Sequence, residues 1–309
     1  MAGIWVYSED ANVAKQLLTA GKLLTESLQQ PLCALTLEES AAAELVACGA
    51  DKVIVLKGEG IWPESYAAAV AKVMEREDPV ALLIGGTMRG KDLAAKVAAH
   101  LQSGLVTDAQ VLRVENGAIE TERMMYGGLA VCTETLSGLA LVTIPPRKFE
   151  VPQQEESRAG ESVVETVSTE DAMIIGNVCP IVRQGADISL AEKLVCVGRG
   201  LGKEEDMALV RDLAAALGAE IGCTRSVAED YHWLPSETYI GLSGQKVKPN
   251  LYLSVGVSGQ VQHVAGIRDS KVIVAVDTNE NAPIFAAADY GIVGDLYQIV
   301  PLLTKALHS

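Results

Sequence analysis

Apolar runs of strand length alternate with helix-length segments through the first third of the chain. Short polar or glycine-containing stretches separate them, a pattern typical of α/β proteins. The predicted strands are Gly3–Tyr7, Leu32–Leu37, Lys52–Leu56 and Ala81–Ile84. The predicted helices cover about 11–29, 39–48, 63–76 and 91–101, and Ser8, Glu9 and Asp10 cap the first of them.

After Asp108 the pattern changes to the shorter alternation of hairpins. Asn116-Gly117 lies between two alternating runs, which is the strongest short signal for a hairpin turn. It predicts the pairing of 109–115 with 118–126, and a second strand pair is predicted from 130–136 and 139–144. The polar, acidic stretch 153–171 is interpreted as an exposed excursion before one more strand, Ala172–Ile175.

In the last third the apolar runs return with short loops between them. The predicted strands are Lys193–Val197, Ala219–Cys223, Leu251–Val255, Val272–Val276 and Tyr290–Val293. Helices are predicted at 203–217, from Gln260, and at 300–307, where Pro301 suits a first turn. The pattern predicts an N-terminal α/β domain, 1–182, with a mostly parallel sheet and added hairpins. A linker, 183–192, would lead to a doubly wound domain, 193–309, whose loops gather at a ligand-binding sheet edge.

Length and composition narrow the class of protein. A chain of 309 residues is long for one core, so two domains are expected. The net charge of −15 argues against nucleic acid and leaves open either a basic protein partner or a solvated acidic surface. No apolar run reaches membrane-spanning length, and the N-terminus leads directly into a strand, so we expect a cytoplasmic protein.

The six cysteines are scattered and include no C-x-x-C pair. Their positions in mostly apolar runs favour buried thiols over disulfides, a zinc site or an iron–sulfur cluster. They are Cys33, Cys48, Cys132, Cys179, Cys196 and Cys223.

Three glycine-rich turns are candidates for binding phosphate. The turn 85–90, followed by Lys91, has the reach of a phosphate loop, but Asp92 replaces the hydroxyl residue that would hold magnesium. The turn 198–202 resembles a dinucleotide fingerprint, but Lys203 occupies its last glycine position. Each of these two is weak evidence alone.

The third turn, 256–259, follows a buried strand and opens a helix. Ser258 is predicted as the N-cap, and free backbone N–H groups there would suit a pyrophosphate. Gln262 and His263 lie in the first turn of the same helix, within reach of such a ligand. Taken alone, His263 is also consistent with a partly buried histidine bonded to a carbonyl.

The stretch from Tyr239 to Asp295 carries several motifs at fixed spacing: Gly241-Leu242-Ser243-Gly244, Pro249-Asn250-Leu251-Tyr252, Gly256-Val257-Ser258-Gly259-Gln260-Val261-Gln262-His263, Ala282-Pro283-Ile284-Phe285 and Ala288-Asp289-Tyr290-Gly291. This arrangement resembles the FAD-binding domain of electron transfer flavoprotein alpha subunits. The resemblance implies a Rossmann-like C-terminal FAD domain and an N-terminal domain that is chiefly structural and contacts partners.

The resemblance also implies roles for individual residues. His263 would lie near N1 and O2 of the isoalloxazine, Ser243 near N5, and Arg225 over the ring. Without the resemblance, Arg225 is explained as a surface ion-pair partner of Glu229 or Asp230, and Ser243 is explained as a turn residue. The complete implied FAD site is Arg199, Thr224, Arg225, Ile240, Gly241, Leu242, Ser243, Ser258, Gly259, Gln260, Val261, Gln262, His263, Asp277, Asp295 and Leu296.

The chain departs from the family pattern at three places near the implied ring site. It has Leu242-Ser243-Gly244-Gln245 where the family commonly has Gln-Thr-Gly-Lys, so one lysine charge is missing. Thr224 replaces a common serine, and Asp277 replaces a usual asparagine, whose side chain can donate as well as accept. These changes bear on the flavin potential more than on the identity of the cofactor.

The resemblance implies an alpha subunit that carries non-covalent FAD and forms an obligate heterodimer with a beta subunit. It would take electrons from a dehydrogenase, such as an acyl-CoA dehydrogenase, and deliver them to an acceptor such as a quinone oxidoreductase. No side chain is expected to act as a catalytic acid, base or nucleophile, and no metal is expected. Two alternatives remain open: an NADH-dependent bifurcating complex with a second flavin in the beta subunit, and a redox-inactive nucleotide-binding scaffold.

Overall fold

The computed structural model describes residues 3–171, 175–180 and 187–308. The chain divides into two compact units, Met1–Val178 and Cys179–Ser309. Most of the predicted strand Ala172–Ile175 and the first part of the predicted linker 183–192 lie outside the described residues. Ile188, within that linker, is buried in the core of the second unit.

The first unit is built around a parallel sheet of seven strands. The unit as a whole contains the strands β1 Ile4–Tyr7, β2 Leu32–Thr36, β3 Lys52–Lys57, β4 Ala81–Gly85, β5 Leu105–Val106, β6 Val111–Glu115, β7 Ala118–Met125, β8 Ala130–Leu136, β9 Ala140–Ile144 and β10 Glu161–Thr166. The large sheet has the order β10-β3-β2-β1-β4-β9-β5, and β6, β7 and β8 form a separate antiparallel sheet. The helices are α1 Ala11–Leu28, α2 Ala42–Ala47, α3 Ala67–Glu77 and α4 Met88–Leu101.

Two local features predicted for this unit, a helix cap and a hairpin turn, are present in the structure. Asp10 caps α1, because its carboxylate accepts the backbone N–H groups of Asn12 and Val13 at 2.8 and 3.0 Å. Asn116 and Gly117 both have positive φ, as a two-residue hairpin turn between β6 and β7 requires. The predicted hairpin is therefore confirmed.

One prediction about strand pairing, that of 130–136 with 139–144, is wrong. Strand β8 pairs with β7 rather than with β9, and β9 is inserted between β4 and β5 in the large sheet. The burial patterns give the reason: every residue of β9 is buried, as in a central parallel strand, whereas β8 has mostly exposed and partly exposed positions. The stretch predicted as an exposed excursion contains β10, which forms an edge of the sheet beside β3.

The second unit is a doubly wound parallel sheet of five strands. Its elements are β11 Lys193–Val197, α5 Met207–Leu217, β12 Glu220–Cys223, β13 Leu251–Val255, α6 Val261–Ile267, β14 Ile273–Asp277, α7 Ile284–Ala287, β15 Tyr290–Val293 and α8 Leu296–Leu307. The strand order is β12-β11-β13-β14-β15. The predicted fold class is confirmed for both units.

Alternate side chains of β11 pack into two hydrophobic clusters, one on each face of the sheet. Val195 and Val197 face the cluster formed with α5 and α8, whereas Leu194 and Cys196 face the cluster that includes residues of α6 and α7. Both faces of the sheet are therefore covered, which explains why its strands are almost continuously apolar.

Helix α8 begins earlier than predicted, at Leu296. Asp295 caps it by accepting the N–H of Tyr297 at 2.9 Å, and Pro301 lies inside the helix rather than in its first turn. Within the described ranges no helix is long and apolar enough to cross a membrane.

Candidate functional site

A cleft of about 620 Å³ opens at the carboxyl edge of the second sheet. The chain leaves β11 for β12 on one side of the sheet and returns on the other side with β13, so the loops after β11 and β13 diverge there. In doubly wound folds this reversal of strand order is the place where ligands bind. The cleft therefore lies where the topology predicts a site.

Most of the residues predicted for the site line this cleft. They are Arg199, Thr224, Arg225, Ile240, Gly241, Leu242, Ser243, Ser258, Gly259, Gln260, Gln262, His263 and Asp277. The lining also includes residues absent from the predicted set: Gly200, Ser226, Tyr239, Gly256 and Val257. The glycines among these stand in the two glycine-rich turns, which was the one available sequence signal for them.

Three residues predicted for the site do not line the cleft. Val261 is the first residue of α6 and does not line the cleft. Asp295 caps α8, and Leu296 is buried in the core beside Gly256. The structure therefore gives Asp295 and Leu296 folding roles that account for these residue types without a ligand.

The floor of the cleft is made by two glycine-rich turns in direct contact. Gly200 donates its N–H to the carbonyl of Gly256 at 2.9 Å. A Cβ on Gly200 would lie 2.6 Å from the Cα of Gly256, and a Cβ on Gly198 would lie 2.8 Å from the Cα of Val257. Only glycine allows the two backbones to approach this closely, so the turn at 198–202 supports the turn at 256–259 despite its incomplete fingerprint.

The turn after β13 has a different cap from the one predicted. Gln260, not Ser258, is the N-cap of α6, and its side chain makes no capping hydrogen bond. The carbonyl of Ser258 accepts the N–H of Ile284 at 3.1 Å instead. Gly259 has a φ of 78°, and a Cβ there would lie 2.6 Å from the Cβ of Ile284. The turn is therefore fixed by its contact with α7.

His263 lines the cleft and is largely buried, with 7% of its surface exposed. Its Nε2 lies 2.7 Å from the hydroxyl of Tyr252, and within the described part of the chain its Nδ1 has no hydrogen-bond partner. Burial lowers the pKa of His263 to about 4, and the nearby Ile240 carbonyl acts in the opposite direction. The imidazole is therefore neutral at neutral pH and can offer a hydrogen bond but not a full charge.

The two polar residues after β12 differ in their surroundings. The Thr224 hydroxyl is buried and has no hydrogen-bond partner among the described residues. The Arg225 side chain is 68% exposed and donates from Nε to Glu229, which raises the pKa of the guanidinium. Arg225 thus has the local partner proposed without the resemblance and also lines the cleft. A single π turn, Ser226–Asp230, follows it, a feature frequent at functional sites.

The loop that carries Ser243 is held against α6. Leu242 donates its N–H to the Gln262 carbonyl at 2.7 Å, and the Tyr239 hydroxyl donates to the Ser243 carbonyl at 2.6 Å. Ser243 and Gln262 both line the cleft. Asp277, at the end of β14, accepts the N–H of Asn279 at 2.9 Å.

The glycine-rich turn of the first unit lacks the features of a phosphate loop. Helix α4 begins at Met88, inside the turn, and Thr87 caps it by accepting the N–H of Gly90 at 2.9 Å. The Lys91 ammonium lies 2.7 Å from the Asp108 carboxylate. The groups that would face a phosphate are therefore used in the fold itself.

The cleft of the second unit has features that fit a bound dinucleotide. Gly200, Gly256 and Gly259 bring no side chains to the floor, so a pyrophosphate can approach the backbone of the turn 256–259. Two buried polar atoms, Thr224 Oγ1 and His263 Nδ1, lack protein partners among the described residues, as expected for groups that a ligand satisfies. The described residues contain no cluster of side chains able to hold a metal ion.

Comparison with known proteins identifies the family. Residues 4–172 match the model of the electron transfer flavoprotein domain, and residues 187–268 match that of the electron transfer flavoprotein FAD-binding domain. The latter range contains every predicted site residue except Asp277, Asp295 and Leu296.

Curated relatives match nearly the whole chain. Protein FixB of Salmonella typhimurium strain LT2 is 37% identical over 313 aligned residues, covering 99% of this chain and 98% of the relative. Protein FixB of Escherichia coli O157:H7 is 37% identical over 311 residues, covering 98% of this chain and 97% of the relative. The chain therefore belongs to the electron transfer flavoprotein alpha family, and its second unit is an FAD-binding domain.

Proposed function

We propose that the cleft holds FAD with its isoalloxazine beside His263, Ser243 and Arg225 and its pyrophosphate over the turn 256–259. The chain would then carry electrons from a dehydrogenase to a downstream acceptor as one subunit of an alpha–beta heterodimer. The observation that carries the proposal is the buried, unpartnered His263 Nδ1, which belongs to a residue lining the cleft within the FAD-binding match.

FAD, when bound, supplies the redox chemistry, since it accepts and releases one or two electrons. The residues of this chain bind it, orient it and determine how much negative charge the site tolerates. The Ser243 hydroxyl and the His263 imidazole supply hydrogen bonds, and Arg225 supplies positive charge. Since the Arg225 side chain is 68% exposed and already paired with Glu229, solvent and the carboxylate reduce the effect of that charge.

The charge of His263 in the cofactor-free chain bears on the role proposed for it. In the cofactor-free chain a charged imidazole would be costly at a site with 7% exposure, and the pKa of about 4 keeps the ring uncharged. A neutral ring contributes one directed hydrogen bond to the cofactor in a region of low dielectric constant. That contribution is smaller than the effect of a full charge and depends on which ring nitrogen carries the proton.

The family normally pairs with a beta subunit, so the proposal is tested on the heterodimer. The chain is co-expressed with a beta subunit, and FAD is released by denaturation and quantified per heterodimer. The expected result is a yellow complex whose flavin is reduced and then reoxidised by added donor and acceptor. A colourless complex that binds ADP as tightly as FAD would overturn the proposal in favour of a nucleotide-binding scaffold.

The same preparation separates a simple carrier from a bifurcating complex. A simple carrier has one FAD per heterodimer and is not reduced by NADH. Two flavins per heterodimer together with reduction by NADH would assign the chain to a bifurcating complex, whose second flavin belongs to the beta subunit.

A further inference from the structure

Tyr252 is a buried tyrosine whose hydroxyl contacts an imidazole. It is the second residue of β13, none of its surface is exposed, and its Oη lies 2.7 Å from Nε2 of His263. Burial raises the pKa of Tyr252 well above its usual value, so the phenol keeps its proton. Tyr252 does not line the cleft.

Only one proton can lie between these two atoms. A neutral histidine carries one N–H, and a neutral tyrosine carries one O–H. Either Tyr252 donates to Nε2 and the imidazole proton is on Nδ1, or Nε2 donates to Tyr252 and Nδ1 is a bare acceptor. The hydrogen bond at one ring nitrogen therefore determines the proton at the other.

The surroundings favour donation by Tyr252. If Nε2 donated, the phenol proton would have to point to another acceptor, and the Cys196 thiol, which also interacts with Tyr252, accepts hydrogen bonds only weakly. When Tyr252 donates, Cys196 can act as a weak donor to Tyr252, and Nδ1 carries a proton.

We propose that Tyr252 is a positioning residue that donates to Nε2 and holds His263 as the Nδ1–H tautomer. His263 is then a hydrogen-bond donor toward the cofactor without carrying a charge. This inference rests on the proposed placement of His263 beside the isoalloxazine, but the tautomer itself is a property of this chain. Cys196, whose Sγ lies 3.9 Å from Nε2, completes the buried group behind the site.

The tautomer is measured directly by long-range ¹H–¹⁵N NMR of the heterodimer labelled with ¹⁵N-histidine. The chain has four histidines, and the His263 signals are assigned by their loss in His263→Asn. The expected result at neutral pH is a protonated Nδ1 and an unprotonated Nε2. A protonated Nε2 in the wild-type chain would overturn the proposal, and this measurement requires no variant at Tyr252.

Two variants distinguish donation by Tyr252 from the opposite arrangement. In Tyr252→Phe the imidazole loses its donor, and the Nε2–H fraction should rise. In Cys196→Ala the phenol still donates to Nε2, so the Nδ1–H tautomer should persist. If Tyr252→Phe left the tautomer unchanged, or if Cys196→Ala changed it to Nε2–H, the proposal would be wrong.

The flavin potential is the second readout. Loss of the oriented donor in Tyr252→Phe should lower the preference of the site for reduced over oxidised FAD by about tenfold, which is about 30 mV in a two-electron potential. Tyr297→Phe is the matched control, because it removes a phenol that bonds Asp206 and the Gly202 N–H in the same unit, outside the cleft lining. It should change neither the tautomer nor the potential.

The two proposals fail in different ways. If the heterodimer bound no FAD, the proposed function would fail, while the NMR result would still decide the tautomer. If FAD bound normally and Tyr252→Phe changed neither the tautomer nor the potential, the positioning role alone would be wrong.

Discussion

Substitution of Gly259 by alanine tests the architecture of the cleft. Gly259 has a φ of 78°, and a Cβ at this position would contact the backbone and side chain of Ile284, with its Cβ 2.6 Å away. Gly218 provides a matched control, because its φ is 62° but a Cβ there meets no atom within 4 Å. Both substitutions place alanine in the left-handed region, and only Gly259→Ala adds a steric clash.

The difference between the two variants isolates that clash. A left-handed backbone costs alanine roughly 1–2 kcal/mol at either position. Overpacking against α7 adds roughly 1–3 kcal/mol at Gly259 alone. Since the clash is relieved by moving the turn, and the turn lines the cleft, we expect it to weaken FAD binding by roughly 5- to 150-fold relative to Gly218→Ala.

The assay compares the purified heterodimers containing each variant. FAD affinity is measured by flavin fluorescence titration, and folding by circular dichroism and thermal melting of the same samples. Gly218→Ala should keep wild-type FAD affinity with a slightly lower Tm. If Gly259→Ala bound FAD as tightly as Gly218→Ala, the turn would not form the floor of the binding site, and the reasoning would fail.

Three other substitutions test single interactions. His263→Ala should lower the two-electron potential of the flavin by about 30 mV, measured by equilibrium reduction beside a reference dye; an unchanged potential would remove His263 from its proposed role. In the FAD-free chain the pKa of His263 is about 4 in the folded state and 6.5 in the unfolded state. Between pH 4 and pH 6.5 the unfolded chain therefore binds more protons than the folded chain, so the free energy of unfolding rises with pH over this range. Acidification from pH 7 to pH 4 should therefore cost up to about 3 kcal/mol, and His263→Gln should flatten the dependence of Tm on pH over this range. Asp295→Ala should cost about 1 kcal/mol in urea unfolding, as loss of a helix cap does; a large loss of FAD affinity would instead support the cofactor role predicted from the sequence.

Local signals predicted the elements of this fold better than their pairing. The Asn116-Gly117 turn and the Asp10 cap depend on neighbouring residues only, and both are present as predicted. The position of β9 in the large sheet depends on contacts with β4 and β5, which are distant in the sequence. The nearly continuous apolar run of β9 indicates a buried strand, but it does not indicate which strands lie beside it.

The site was predictable to a similar extent. Glycine-rich turns after apolar runs indicated a ligand at the sheet edge, and the motifs around Ser243 and His263 indicated which ligand. Tyr252 was visible only as a strand residue, because its contact with His263 depends on the relative position of β13 and α6. The predicted start of α8 is wrong because Pro301 suits a first turn but lies inside the helix, and Asp295 is the cap.

The cysteines near the cleft have a consequence for an electron carrier. Burial raises the pKa of the Cys223 thiol to about 11 and raises that of Cys196 further. At physiological pH both are almost entirely protonated, and protonated thiols react slowly with peroxide and with disulfides. Neither thiol therefore acts as a second redox group beside the flavin at physiological pH. Electrons that enter the subunit should leave it through the flavin.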